Sequence, residues 1–214
     1  TLTAVAAGQP GAALENHTVQ GPEGQDLDAP ILWLSGGRVA VIELASVAGL
    51  GLISTGEPSM ASTRGVGELV ALACAGGAER ILIGAGGSGT LDGGAGALQA
   101  LGFSLLDSND VPIGPGLLGL ETLRTIRAPE HSPAGIEILC DVQSPLLGPH
   151  GAARLYGPQK GATVELVARA ETALDRFAAL LCGMTGRDPR LERGAGAAGG
   201  FAGGMWGAVG APLR

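Results

Sequence analysis

A glycine-rich loop after a short apolar run is the feature that most restricts what this chain can fold into. The sequence ILIGAGGSGTLDGGAGALQALG occupies residues 81–102. Its apolar start predicts a buried strand, and residues 95–101 predict a helix. Between them, glycines leave backbone N–H groups uncovered, while Ser88, Thr90 and Asp92 add two hydroxyls and a carboxylate. The loop therefore suits a phosphate or carboxylate, together with a metal ion or a substrate hydroxyl.

Part of this loop also matches a dinucleotide-binding pattern. Residues 84–89 read GxGxxG after the predicted strand, and Asp107 ends the next predicted strand about 20 residues later, as the fingerprint requires. In that fold the helix starts within the motif, whereas residues 90–94 intervene here and include glycines that cost a helix about 1 kcal/mol each. An NAD-binding oxidoreductase is therefore a disfavoured alternative. A packing turn in which Asp92 only caps the next helix is a non-functional alternative.

The first part of the chain predicts an antiparallel meander. Short strands are expected at residues 17–20, 31–34 and 38–44. The last two are separated by Ser35-Gly36-Gly37, which is typical of a hairpin.

An α/β unit is expected to follow this meander. Ser62 or Thr63 can cap a helix that ends at Gly76-Gly77, and residues 80–83 then form the strand that leads into the glycine loop. With the helix at 95–101 and a further strand at 103–106, this order is typical of parallel strands with helices packed on them.

The second half of the chain adds a loop, a strand and two helices. Residues 109–119 are rich in proline and glycine and predict a loop, and residues 135–140 predict a strand. Apolar side chains at helical spacing predict the longest helix at 163–182, and residues 187–200 predict a second glycine-rich turn before an apolar helix. We therefore expect one α/β domain over residues 1–214, with a mixed sheet and packed helices.

Composition excludes several classes of protein. The 39 glycines have no collagen-like period, and aromatic residues make up only 3%, so small aliphatic side chains must build the core. The net charge of −7 and the scattered basic residues argue against a nucleic-acid or membrane surface. Three widely spaced cysteines without a CxxC pair favour free thiols and a cytoplasmic location. The sequence contains no run of about 18 apolar residues that could span a membrane.

Two further side chains are candidates for chemistry. Asp141 follows the predicted strand at 135–140, and the carboxyl ends of strands are where ligands sit in open α/β sheets. It could hold Mg²⁺ or a hydroxyl, or it could bond only to its own turn. Lys160 lies in a glycine-flanked loop and could reach a phosphate, although no Walker A pattern is present and a surface lysine is the simpler alternative.

Four motifs in order resemble the type 1 glycerate kinase family. The family's loop GIGGSATNDGGAGMLQALG appears here as GAGGSGTLDGGAGALQALG, which differs at Ala85, Gly89 and Leu91 among other positions. CDVQSPL at 140–146, GPHGAARLYGPQKGAT at 148–163 and GAGAAGG at 194–200 are similar to the family's later motifs. Four motifs in the right order are far more specific than a single GxGxxG.

The resemblance implies transfer of the γ-phosphoryl group of ATP to D-glycerate, assisted by Mg²⁺. It implies anion contacts from the loop, and chemistry or metal binding from the charged side chains. The anion-binding set is Gly86, Gly87, Ser88, Thr90 and Gly93; the catalytic set is Asp92, Asp141 and Lys160; and Asp92 and Asp141 are the candidate metal ligands.

The resemblance also implies that the chain is the middle lobe of a two-lobed kinase. The family's N-terminal DSFKGS and ADGGEG motifs and its C-terminal TGEGxxD segment have no counterpart here. The expected partners are therefore D-glycerate, ATP and the missing lobe of the same enzyme, whose side of the cleft would complete the site, and an oligomer is possible. Whether this lobe is active alone stays open. The alternative from another class is a non-catalytic lobe that binds organic anions or other proteins.

Overall fold

A computed structural model describes residues 2–54, 56, 58–133 and 135–214. The chain begins with a short helix, α1 (Leu2–Ala7), and three strands: β1 (Ala13–Gln20), β2 (Asp26–Leu34) and β3 (Val39–Glu43). β1 pairs with β2 and β2 with β3, both antiparallel, which confirms the predicted meander and its hairpin at residues 35–37. β1 begins four residues before its predicted start, because its first residues are exposed and carry little apolar signal.

The main sheet continues through two parallel strands, β4 (Arg80–Gly84) and β7 (Ile136–Leu139). Within the described residues its order is β1-β2-β3-β4-β7, and β3, β4 and β7 run parallel. The predicted mixed sheet is therefore confirmed. The three parallel strands end side by side at Glu43, Gly84 and Leu139.

The predicted strand at 103–106 does not join this sheet. It is β5 (Ser104–Leu106), and it pairs antiparallel with β6 (Thr125–Arg127) in a separate two-stranded sheet. β7 already occupies the position beside β4, so the expected parallel partner was wrong. The last residues of the predicted loop at 109–119 instead begin a helix, α5 (Gly116–Thr122), which starts after Pro115.

Helices cover the sheet and build the core. They are α2 (Ala45–Ala48), α3 (Arg64–Ala75), α4 (Ala95–Ala100), α6 (Ala152–Tyr156), α7 (Val164–Thr185) and α8 (Phe201–Val209). α7 confirms the long amphipathic helix: Thr163 Oγ1 accepts a hydrogen bond from Leu166 N at 3.2 Å at its start, and Gly186 ends it. Among the described residues, no helix is long and apolar enough to cross a membrane.

Glycines let the helices approach the glycine loop closely. A Cβ at Gly67 of α3 would lie 2.3 Å from the carbonyl oxygen of Ala97 in α4. A Cβ at Gly204 of α8 would lie 1.9 Å from the carbonyl oxygen of Gly93 in the loop. Because nonbonded heavy atoms do not approach so closely, a side chain at Gly67 would push α3 away from α4, and one at Gly204 would push α8 away from the loop. The small-residue composition is therefore a requirement of the packing around residues 85–94.

Candidate active site

The candidate site lies where the three parallel strands end. Leu44 N donates to Gly84 O at 3.0 Å, and Ala85 N donates to Leu139 O at 2.9 Å, so the loops after β3, β4 and β7 start from one rigid edge. This is the edge where open α/β sheets bind ligands. The glycine loop and Asp141 both begin there.

The glycine loop is fixed against the turn that follows α2. Leu50 N donates to Gly87 O at 3.0 Å, and Gly89 N donates to Ala48 O at 2.9 Å. Gly86 and Gly87 are exposed, and within the part of the chain that the structure describes no acceptor is recorded for the N–H groups of residues 86–88. Gly87 has a φ of 68°, which favours glycine. The loop therefore presents fixed, uncovered backbone donors of the kind that bind anions.

Lys160, the single lysine of the sequence, lies directly against this loop. Its side chain is only 4% exposed, and its Nζ donates to Ser88 Oγ and to Thr90 O, both at 2.8 Å. No carboxylate in the described ranges forms an ion pair with it. Burial lowers the pKa of Lys160 to about 7, although the charge of Asp92 acts in the opposite direction. Lys160 is thus a buried amine whose charged form is destabilised by its surroundings.

Asp92 is fully buried behind the loop. Its Oδ2 accepts hydrogen bonds from Thr63 N at 2.9 Å, Thr63 Oγ1 at 2.8 Å and Gly96 N at 3.2 Å, and its Oδ1 accepts one from Gly94 N at 3.0 Å. Burial raises the pKa of Asp92, and these hydrogen bonds oppose the increase. The carboxylate therefore joins the start of α3 to the start of α4. Thr63, which we predicted only as a helix cap, is its main partner.

Five of the predicted residues meet at one cavity of about 190 Å³. These are Gly86, Gly87, Ser88, Asp141 and Lys160. An adjoining cavity of about 600 Å³ shares Gly86, Gly87 and Asp141 with it and continues along the ends of β3 and β7. Ser88 is 7% exposed, whereas Asp141 is exposed. Three of the five predicted anion contacts, Lys160 and one of the two carboxylates are thus brought together.

The other predicted residues lie behind the cavity. Thr90 is fully buried, and its Oγ1 has no hydrogen-bond partner among the described residues. Gly93 N donates to Gly199 O at 3.2 Å, and a Cβ at Gly93 would lie 2.9 Å from Leu174 Cδ2 and 3.0 Å from Phe177 Cδ1. Thr90, Gly93 and Asp92 thus lie on the buried side of the loop. No three His, Cys, Asp or Glu side chains in the described ranges cluster in a way that could hold a metal ion.

Sequence reasoning missed several side chains that line the smaller cavity. They include Leu50, Tyr156, Gln159 and Ala198. Both Gln159 and Ala198 lie in quoted motifs. Gln159 directly precedes Lys160, and Ala198 is part of GAGAAGG, so these motifs could have indicated them. Ala198 adopts a φ of 53°, a left-handed conformation that is strained for alanine and is found more often at functional sites.

The dinucleotide interpretation is wrong. Asp107 Oδ1 accepts hydrogen bonds from Asn109 N at 2.8 Å and Val111 N at 3.1 Å, which fix its own turn. It follows β5, which is not in the main sheet, and α4 starts only at Ala95, well beyond the GxGxxG glycines. The acidic residue and the helix start that the fingerprint needs are therefore both elsewhere.

Comparisons with known proteins agree with the motifs. The family model described as the glycerate kinase family matches residues 1–214. The glycerate kinase of Bacillus subtilis (strain 168) is 42% identical over an alignment of 191 positions that covers 86% of this chain and 50% of that protein. The glycerate 2-kinase of Escherichia coli (strain K12) is 38% identical over an alignment of 221 positions that covers 100% of this chain and 58% of that protein.

A solved structure shares the fold over the whole chain. It is a crystal structure named for glycerate kinase 2 from Salmonella typhimurium LT2, with a TM-score of 0.90, 38% sequence identity, and coverage of 100% of this chain and 57% of that one. The present chain thus spans about half the length of the curated relatives it matches. Because motifs, family model, relatives and fold all agree, this chain belongs to the glycerate kinase family.

Proposed function

We propose that this chain forms the central lobe of a kinase that transfers the γ-phosphoryl group of ATP to D-glycerate. The observation that carries the proposal is the contact of Lys160 with the glycine loop, because it puts a cation and uncovered N–H donors at the same cavity. The names of the relatives support the substrate and the reaction. The name of the Escherichia coli relative favours the 2-hydroxyl as the phosphoryl acceptor.

Phosphoryl transfer requires the protein mainly to position two substrates and to neutralise negative charge. We assign anion contact to the backbone of Gly86 and Gly87 and to the Ser88 hydroxyl, which are all at the cavity. Lys160 supplies the positive charge, and an anion beside it would favour its protonated form. The 190 Å³ cavity is the size of a small anionic group and not of a whole nucleotide, so most of ATP would lie in the adjoining larger cavity.

Magnesium would have one protein ligand in this chain. Mg²⁺ is usually held by one or two carboxylates together with substrate phosphates. Asp141 fits this role because it is exposed at both cavities, whereas the oxygens of Asp92 are buried and already accept four hydrogen bonds. When bound, the ion would neutralise charge on the phosphates. We therefore propose Asp141 as the metal ligand and Asp92 as a positioning residue that fixes the loop.

The rest of the site would come from a second lobe. The relatives are about twice as long as this chain, which supports a partner lobe that closes over the same sheet edge. We place the enzyme in the cytoplasm on the basis of its three free cysteines. The competing proposal is a lobe that binds organic anions without catalysis.

A chimaeric enzyme tests this proposal. The matching segment of the Escherichia coli relative is replaced by residues 1–214, and ADP release with ATP, Mg²⁺ and D-glycerate is measured, with the product identified by ³¹P NMR. We expect D-glycerate-dependent turnover and 2-phosphoglycerate. Lys160→Met should lower kcat/KM by at least about 100-fold, as expected for loss of a donor to a developing anion. Arg38→Gln, at the opposite end of β3, is the matched control and should change it less than about twofold.

The outcomes separate the two proposals. A folded chimaera without turnover, together with calorimetric binding of D-glycerate by the 214-residue chain, would favour the non-catalytic lobe. Turnover that is unchanged by Lys160→Met would remove the lysine from the reaction.

A further inference from the structure

The hydroxyl of Ser88 lies next to the buried amine of Lys160. It lies at the cavity, is 7% exposed, and its Oγ is 2.8 Å from the only ε-amine of the chain. For anion contact, the hydroxyl would donate to the ligand while it accepts a hydrogen bond from the charged form of Lys160. A serine beside a buried amine is, however, the arrangement that activates an oxygen nucleophile.

The amine is suited to act as a base. Lys160 Nζ has no ion pair among the described residues, and burial favours its neutral form, with a pKa of about 7. In the neutral form its lone pair can face Ser88 Oγ, so that the hydrogen bond reverses and the hydroxyl donates to the amine. The surrounding titratable groups are Asp92, buried behind the loop, and Cys140, Asp141 and Tyr156, at the cavity.

A third group orients this base. Thr90 O accepts a second hydrogen bond from Lys160 Nζ at 2.8 Å, which fixes the direction of the amine. Gly199 leaves room for both groups, because a Cβ there would lie 2.0 Å from Thr90 O and 3.1 Å from Nζ. The φ of 67° at Gly199 also favours glycine. Ser88 Oγ, Lys160 Nζ and Thr90 O are thus connected by two hydrogen bonds between the glycine loop and residues 158–160.

Donors for a developing oxyanion are next to the nucleophile in sequence and at the same cavity. They are the backbone N–H groups of Gly86 and Gly87, both exposed and without an acceptor recorded in the described ranges. A Cβ on Gly86 would meet no atom within 4 Å, so the space in front of the backbone is open. Such donors are the remaining requirement for transfer to a serine.

We propose that Ser88 is a nucleophile, with Lys160 as its general base, that accepts acyl or phosphonyl groups from small activated esters and phosphonates. With a fluorophosphonate, the bond from Ser88 Oγ to phosphorus forms, the P–F bond breaks and fluoride leaves. The hydroxyl proton passes to Lys160 Nζ. The step needs neither ATP nor glycerate, so it goes beyond the kinase proposal and can fail independently of it.

Labelling with a fluorophosphonate probe tests the assignment. The 214-residue chain is incubated with the probe, and tryptic peptides are examined by mass spectrometry. We expect one adduct, on Ser88, that is absent from Ser88→Ala and unchanged in Ser104→Ala, which removes an exposed serine of β5. Lys160→Arg keeps the cation but cannot act as a base, so labelling should fall by at least about 100-fold.

Each other result overturns the proposal. No adduct on folded wild-type chain between pH 8 and pH 9 would mean that the hydroxyl is not activated. An adduct that persists in Ser88→Ala would assign the reaction to another group. A labelling rate that Lys160→Arg does not change would exclude Lys160 as the base. If circular dichroism shows that Lys160→Arg does not fold, the pH dependence of labelling of the wild-type chain replaces this test. A labelling rate that rises with a midpoint near the pKa of Lys160, about 7, supports Lys160 as the base. A labelling rate without that midpoint excludes Lys160 as the base.

Discussion

Replacement of Lys160 by methionine should change how the free energy of unfolding depends on pH. In the folded chain the pKa of Lys160 is lowered from 10.5 to about 7, mainly by burial. In the unfolded chain the amine regains its ordinary pKa, so between these values the unfolded state binds more protons than the folded state. The free energy of unfolding therefore rises with pH through this window, and the lysine destabilises the fold most below pH 7.

The size of this effect follows from the shift. A single group that is protonated only in the unfolded state gives a slope of about 1.4 kcal/mol per pH unit. Between pH 7.5 and pH 9 the contribution of Lys160 amounts to about 2 kcal/mol. Lys160→Met retains the apolar stem and removes the titration. The free energy of unfolding of the variant minus that of the wild type should thus fall by about 2 kcal/mol across this interval.

Urea unfolding of both proteins, followed by circular dichroism at several pH values, measures this difference. Thiols titrate in the same range, and burial raises the pKa of Cys74 and Cys140, but both proteins contain them and their effect cancels in the difference. Because the sequence has one lysine, [¹³C]lysine labelling gives a single Cε signal whose titration midpoint is an independent check. A difference that does not vary with pH, or a midpoint near 10, would refute the reasoning.

Three further substitutions test the packing around the site by urea unfolding at neutral pH. Asp92→Asn puts an amide donor among N–H donors and should lower the free energy of unfolding by about 3 kcal/mol; a loss below about 1 kcal/mol would mean that the four hydrogen bonds matter little. Gly199→Ala should lower the free energy of unfolding by at least about 2 kcal/mol because an added Cβ has no room. Gly183→Ala, at an open helical position in α7, should raise it by about 0.5–1 kcal/mol. Equal effects of the two substitutions would contradict the close-approach argument. Thr163→Ala should cost about 1 kcal/mol through loss of the α7 cap, and no change would exclude that cap as a contributor.

How much of the fold could be predicted depended on the length of each pattern. The helix at 163–182 was predicted within three residues of its observed end at Thr185, because twenty residues of period 3.6 average out local exceptions. The three-residue strand β5 was predicted in the right place but in the wrong sheet, because nothing in its sequence specifies a partner. Pairing depends on the tertiary structure, and the strand beside β4 is β7, which begins 30 residues after β5 ends.

Part of the site could be predicted because motifs follow the strand ends, and Lys160 could be predicted because it lies in a glycine-flanked loop of another motif. Gly86, Gly87 and Asp141 follow the ends of β4 and β7 within three residues, and they lie where the strand ends predict. The burial of Asp92 could not be predicted, because its partner Thr63 is 29 residues away in sequence. Tyr156 and Ala198 lie in two of the quoted motifs, but their position at the cavity depends on tertiary packing, which a local pattern does not record.

Lys160 lowers the free energy of unfolding at neutral pH, so a role in the site explains its presence better than a role in stabilising the fold does. A buried amine without an ion pair lowers the stability of the chain at neutral pH, and a well-packed apolar side chain would remove that cost. The nearby Ala198 is also held in a strained conformation at the same cavity. Two unfavourable features at one cavity are expected where an anion or a proton transfer depends on them, since perturbed groups and strained backbone cluster at functional sites. An anion bound at the glycine loop would offset the first cost by stabilising the ammonium form, so ligand binding and folding stability should rise together.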